Sequence, residues 1–222
     1  MNARTSRGFS FVELVVSMAI MLAVTGSMFG LVDSARTVFE IDLERADMQQ
    51  RARVSMSALY RDLVMAGAGL QMPAIAPFRR GDENPDLPGS AFSDRISVRY
   101  MPPDAAAGGA VTITYALRDD TAGVPQLTKY DGRTTDLPVV DQLAGLRFDY
   151  FDASGQQIPI GRFTDGPWVP DAVAADRFDA DLLAIRRVRA LVRVRPARTF
   201  VGLPFDDLDV RIDVSPRNLN LQ

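Results

Sequence analysis

A chain of 222 residues with 47% hydrophobic and 24% charged side chains has room for one membrane-crossing helix and one ordinary globular domain. It contains no histidine and no cysteine, which removes imidazole bases, the usual zinc ligands, thiol nucleophiles and disulfide staples. The formal charge of −3 argues against a general nucleic-acid surface, and no phosphate loop, dinucleotide fingerprint or singled-out carboxylate pair is present, so an enzyme is not expected.

Residues 1–8, Met-Asn-Ala-Arg-Thr-Ser-Arg-Gly, form a short basic leader, and the positive-inside tendency keeps its arginines in the cytoplasm with the rest of the chain outside. From Phe9 to Val32 the only ionisable side chain is Glu13. About 20 apolar residues suffice to cross a bilayer as a helix. A charge there costs roughly 2.5–3.5 kcal/mol at the centre and less near an end, so Glu13 calls for a positive partner. The positive end of the helix dipole favours an acid in the first turn. A secretory signal has its small-residue cleavage site after the apolar region, whereas here the small residue, Gly8, precedes it, so the apolar run survives processing. Without the leader the charge becomes −5, from 23 basic and 28 acidic residues.

The run Gly8-Phe9-Ser10-Phe11-Val12-Glu13-Leu14 resembles the prepilin cleavage and methylation motif of type IV pilins and type II secretion pseudopilins. The resemblance implies cleavage between Gly8 and Phe9 by a membrane aspartic prepilin peptidase and N-methylation of Phe9. It also implies burial of the apolar helix in a filament core, with Glu13 facing a neighbouring subunit's terminal amine. The plainer alternative is a signal anchor with an incidental acid.

Beyond Val32 the apolar positions Val38, Ile41, Met48, Ala52, Met56, Leu59, Leu63 and Ala66 recur mostly at three and four, with an interruption at Arg45. No proline lies between Phe9 and Met72, so one continuous helix of about 58 residues is expected, ending near Ala66-Gly67-Ala68-Gly69. Gly26 and Gly30 form a small-xxx-small pair, which suits close helix packing or simply reflects the frequency of glycine in spanning helices.

Residues 70–93, with Arg79-Arg80-Gly81-Asp82-Glu83, read as one long loop. The period then changes to two. Ile96, Val98 and Tyr100, followed by Val111, Ile113, Tyr115 and Leu117, predict a hairpin across the turn from Pro102 to Gly109. Shorter strands are expected at Gln126 to Tyr130 and Leu146 to Phe151, the latter entering the turn Asp152-Ala153-Ser154-Gly155.

The segment Phe163 to Asp181 reads as irregular. It holds the only tryptophan, Trp168, which closes over a core or anchors an interface. Asp176, Asp179 and Asp181 are oxygen ligands in type for calcium, although their spacing lacks a full EF-hand loop.

The last two strands place Val188, Ala190, Val192 and Val194, then Leu208, Val210, Ile212 and Val214, on one face. On the other, Arg187, Arg189, Arg193 and Arg195 form a row that Asp209 and Asp213 can oppose. That row is either a docking surface for an acidic neighbour or a solvated sheet face with local pairing.

The helix-end pattern Leu59-Tyr60-Arg61-Asp62-Leu63 with Ala66-Gly67, and the tail Val214-Ser215-Pro216-Arg217-Asn218, are similar to the larger minor pilins of the PilW type and to J-type minor pseudopilins. The expected fold is α+β, a long N-terminal helix on a mainly antiparallel β-sheet domain. Its parts are a leader at 1–8, a transmembrane or filament-core helix at 9–32, its amphipathic continuation at 33–69 and a globular domain at 70–222.

The resemblance implies a non-enzymatic minor pilus subunit in the bacterial inner membrane. Its C-terminal domain would lie in the periplasm before entering a pilus or pseudopilus. Its partners would be prepilin peptidase, the major pilin, other minor pilins and the inner-membrane assembly platform. No cofactor is implied, apart from the calcium candidates. The alternatives are a secretion pseudopilin and a membrane-tethered periplasmic ligand-binding module.

Overall fold

The computed structural model describes residues 10–70, 73–79, 94–102, 109–132, 137–163, 180–198 and 206–221. It is α+β; the described residues form one α-helix, α1 (Phe11–Met65), and nine strands in two antiparallel sheets. The chain divides into two compact units at Arg45/Ala46. In its described part the first unit is the N-terminal portion of α1, and the second contains the rest of α1 and both sheets.

The five-stranded sheet runs in sequence order: β1 (Ile75–Arg79), β2 (Asp94–Tyr100), β3 (Val111–Asp119), β4 (Pro125–Tyr130) and β5 (Leu137–Asp141). The four-stranded sheet has the order β7-β6-β8-β9, with β6 (Leu143–Phe151), β7 (Gln157–Ile158), β8 (Arg187–Val194) and β9 (Leu208–Val214). Alternation decides which face is buried. Ile96, Val98, Ile113, Tyr115 and Leu127 point into the core from the first sheet. Leu146, Phe148, Tyr150, Val188, Ala190, Val192 and Val194 do so from the second.

The expected hairpin forms, with Ile96 opposite Tyr115 and Val98 opposite Ile113. Two expectations need correction. The stretch 70–93 is not wholly loop, because Ile75–Arg79 pairs with β2, Ile75 lying opposite Val98; Pro77 hides this strand from a propensity reading, yet proline is tolerated at a sheet edge. A strand also forms at Leu137–Asp141, where Pro138 again obscures the pattern. Of the helical stripe, Met48, Ala52, Met56, Leu59, Leu63 and Ala66 are buried, while Val38 is 58% exposed.

The helix ends as its glycines suggest. Gly67 and Gly69 take φ of +81° and +68°, where a side chain is unfavourable. The turn is pinned to the sheet: Gly67 N–H donates to Arg99 O at 3.0 Å, and Met101 N–H to Ala68 O at 2.8 Å. A Cβ on Gly67 would stand 3.3 Å from Leu219 Cδ2, in the 3₁₀ turn Arg217–Leu221.

The sheets are joined by Asp94, a buried carboxylate at the start of β2 whose Oδ2 accepts the Phe148 N–H at 2.9 Å. β7 pairs only with Tyr150 and Phe151, so Asp94 satisfies a β6 donor where that strand runs out.

Candidate functional site: an exposed apolar helix and an anchored helix end

The N-terminal part of α1 presents large apolar side chains to the exterior on every side. Phe11 is 80% and Leu22 73% exposed, and Met18, Ile20, Phe29 and Leu31 are exposed as well. Such a surface is not stable in water as it stands and requires lipid or other apolar helices around it. Length and composition allow this helix to cross a membrane.

Its hydroxyls are already satisfied from within. Ser17 Oγ donates to Glu13 O at 2.6 Å, Thr25 Oγ1 to Met21 O at 2.7 Å and Ser27 Oγ to Ala23 O at 2.8 Å. This back-bonding lets polar residues sit in an apolar medium without an outside partner. Glu13 differs. It lies in the first turn of α1, and among the described residues none pairs with its carboxylate. Its demand for a positive partner therefore has to be met from outside the described residues.

Gly8 and Phe9, the expected cleavage pair, lie outside the described residues, as do Trp168, Asp176 and Asp179. Asp181 falls in the 3₁₀ turn Ala180–Ala184, but its side chain is outside the described set. Among the described residues no cluster of three or more acidic side chains is placed to hold a metal ion. A Cβ at Gly26 or Gly30 would meet nothing within 4 Å, so both are open to an incoming helix.

Two members of the arginine row are paired within their own sheet. Arg193 makes a two-point contact with Asp209, at 2.7 and 2.8 Å, and Arg189 Nε donates to Asp213 Oδ1 at 3.0 Å. The hydrogen bond from Arg193 to Asp209 raises the Arg193 pKa further. The Arg187 guanidinium sits 4.3 Å from the Phe151 ring centroid. These contacts favour the sheet-face reading over a free basic docking surface.

A polar cluster at the other end of α1 escapes a sequence reading. Asp62, buried on the inner face of the helix, accepts the Tyr115 hydroxyl at 2.5 Å and Lys129 Nζ at 2.6 Å, both on Oδ2. Burial, then the hydrogen bond to Asp62, push the Tyr115 pKa far above the ordinary tyrosine range. Tyr100 is also raised, by burial first and then by the Asp62 charge. Nearer the middle of the helix Arg51 bridges Asp47 at 2.6 Å and Asp141 of β5 at 3.3 Å. The available signal was an acid within the apolar stripe, since Asp62 follows Leu59 by three and precedes Ala66 by four. These groups fix the helix to the five-stranded sheet, and nothing in their arrangement exposes a reactive atom.

The chain matches one protein family, the prokaryotic N-terminal methylation motif, over residues 3–29. No curated protein matches it. The matched segment contains Gly8, Phe9 and Glu13 and runs into the exposed apolar helix. Together they indicate a type IV pilin-like or pseudopilin precursor of the kind processed by prepilin peptidase, with one apolar helix fit for inner-membrane anchoring ahead of a C-terminal domain.

Proposed function

We propose that this chain is a minor, PilW-like subunit of a type IV pilus that helps to start the fibre. Prepilin peptidase cuts between Gly8 and Phe9, Phe9 receives the methyl group, and the sheet domain waits in the periplasm on its membrane anchor. The helix then leaves the bilayer for the filament core, where Glu13 pairs with a neighbouring subunit's terminal amine. Its partners are the major pilin, other minor pilins and the assembly platform. The role is structural.

The observation that carries this reading is the methylation motif at residues 3–29 joined to an apolar helix whose large side chains are exposed among the described residues. Glu13 supports it, because its carboxylate has no partner among the described residues and an acid in apolar surroundings needs a positive group. Bulk around the helix from a large cysteine-free domain favours a place at the fibre end, where only one side of a heterologous contact stays open.

Deleting the gene and scoring surface pili, twitching and secreted protein in one strain tests the proposal. Loss of pili with a retained pool of processed major pilin is expected. Loss of protein export with normal pili would make the chain a J-type pseudopilin, and no change in either would leave a membrane-tethered binding module. In sheared fibres the protein should be a small fraction of the main subunit; a near-equal ratio would overturn the minor role.

A further inference from the structure

Among the described residues the two sheets end in four edge strands, β1, β5, β7 and β9. Unguarded edges recruit other strands, and proteins blunt them with prolines, bulges, shortness or charged side chains. β1 carries Pro77. β5 carries Pro138 and a register shift in its ladder. β7 is only two residues long. β9 has no proline, no glycine and no bulge: it has seven residues and an unbroken ladder from Val188↔Val214 to Val194↔Leu208, and its charged residues, Asp209, Arg211 and Asp213, all lie on its outer face.

The face beneath β9 is also unfinished. Leu208, Val210 and Ile212 point inward yet remain only half-buried, whereas their β8 partners Val194, Val192 and Ala190 are fully enclosed. They line an open groove of about 520 Å³ whose other side is formed by Ala52 and Met56 of α1, with Tyr60 alongside. On the outer face Asp209 and Asp213 are committed to Arg193 and Arg189. Arg211, exposed between them, has no carboxylate partner among the described residues.

We infer that β9 is a docking edge for an extended segment of a partner protein, which adds as a further strand, fills the groove with its inward apolar side chains and sets a carboxylate opposite Arg211. Main-chain hydrogen bonds supply the affinity of such strand addition, and alternate side chains supply its selectivity. A residue directly across an antiparallel pair lies about 4.5–5.5 Å away, close enough for an opposite charge to count. The inference stands on the sheet domain and does not depend on the filament role.

The test uses the full mature chain in nanodiscs of uncharged lipid and two labelled nine-residue peptides that alternate valine and threonine, one with a central aspartate and one with a central lysine. Fluorescence anisotropy should show the aspartate peptide binding about fivefold more tightly, and Arg211→Glu should reverse the preference. Ile212→Lys, which puts a charge into the groove, should abolish binding of both peptides. Amide exchange along β9 must stay as in the wild type for each variant; if Ile212→Lys disturbs the fold, the Arg211→Glu reversal alone decides. Equal binding of the two peptides, no binding of either at millimolar concentration, or self-association that displaces the aspartate peptide would each overturn the inference.

Discussion

The Tyr115 hydroxyl of β3 and the Asp62 carboxylate of α1 meet at 2.5 Å, fifty-three residues apart in the chain, and Lys129 of β4 reaches the same oxygen at 2.6 Å. One oxygen thereby ties the helix to two neighbouring strands. Removing it leaves the hydroxyl with only Ala58 O, at 3.2 Å, and takes the carboxylate from a half-buried Lys129 ammonium. Asp62→Ala should cost about 2–4 kcal/mol of domain stability, with Asp62→Asn falling between it and the wild type. Urea unfolding followed by circular dichroism measures both, and a change below about 0.5 kcal/mol would show that the cluster is incidental.

The same tyrosine gives the domain an alkaline limit. Burial and the bond to Asp62 raise Tyr115 above its unfolded value of about 10. A raised pKa means that the folded state holds the proton more tightly. Its contribution is therefore complete below about pH 10 and is lost as the pH rises towards the folded value. Thermal midpoints should hardly move on this account between pH 7 and 9 and should fall above pH 10. Tyr115→Phe, starting from a lower midpoint, should show a shallower fall, and parallel curves would rule this group out.

Gly67 should resist substitution. With φ at +81° and Leu219 Cδ2 3.3 Å from a would-be Cβ, alanine meets both backbone strain and crowding. A loss of about 1–2 kcal/mol is expected for Gly67→Ala. Gly26→Ala, which meets no neighbour within 4 Å in its own chain, should leave domain unfolding unchanged.

Glu13 should matter for assembly and not for folding. Glu13→Ala is expected to give a processed, membrane-bound protein of normal domain stability that enters sheared filaments poorly, scored by immunoblot of the fibre fraction. Gly8→Val, which adds bulk beside the scissile bond, should accumulate full-length precursor by intact mass. Normal incorporation of Glu13→Ala would make the acid incidental.

Periodicity made much of this fold readable. The apolar stripe from Met48 to Ala66, the alternation in β2, β3, β8 and β9, and the glycines after Met65 each obey one local rule, and each stands where that rule puts it. The faces of β8 and β9 were legible enough that a row of arginines opposed by Asp209 and Asp213 followed from alternation, while the register that pairs Arg189 with Asp213 and Arg193 with Asp209 came from the ladder. β1 and β5 were not legible, because Pro77 and Pro138 lower strand propensity while tertiary pairing overrides it at an edge. The split into two sheets was equally hidden. It depends on β6 turning its ladder to β8 while Asp94 caps a donor on its other side, and no local pattern encodes that choice. At the site the motif around Gly8 and Glu13 was plain. Asp62 was visible as an acid on an apolar stripe, but its partners lie 53 and 67 residues away.

The contact between Gly67 and Leu219 joins the first and last described elements of the sheet domain, the end of α1 and the 3₁₀ turn Arg217–Leu221. It has a consequence for biogenesis. The turn after the helix is synthesised early, yet one wall of its packing is a leucine made some 150 residues later. At about 5–20 residues per second the ribosome needs on the order of 10–30 s to bridge that interval. Throughout it the amphipathic half of the helix has no finished surface to close against. The nascent domain therefore completes its closure only after translation has passed Leu219, and a chaperone that shields Met56, Leu59 and Leu63 during those seconds would raise the yield of the folded protein without touching its final stability.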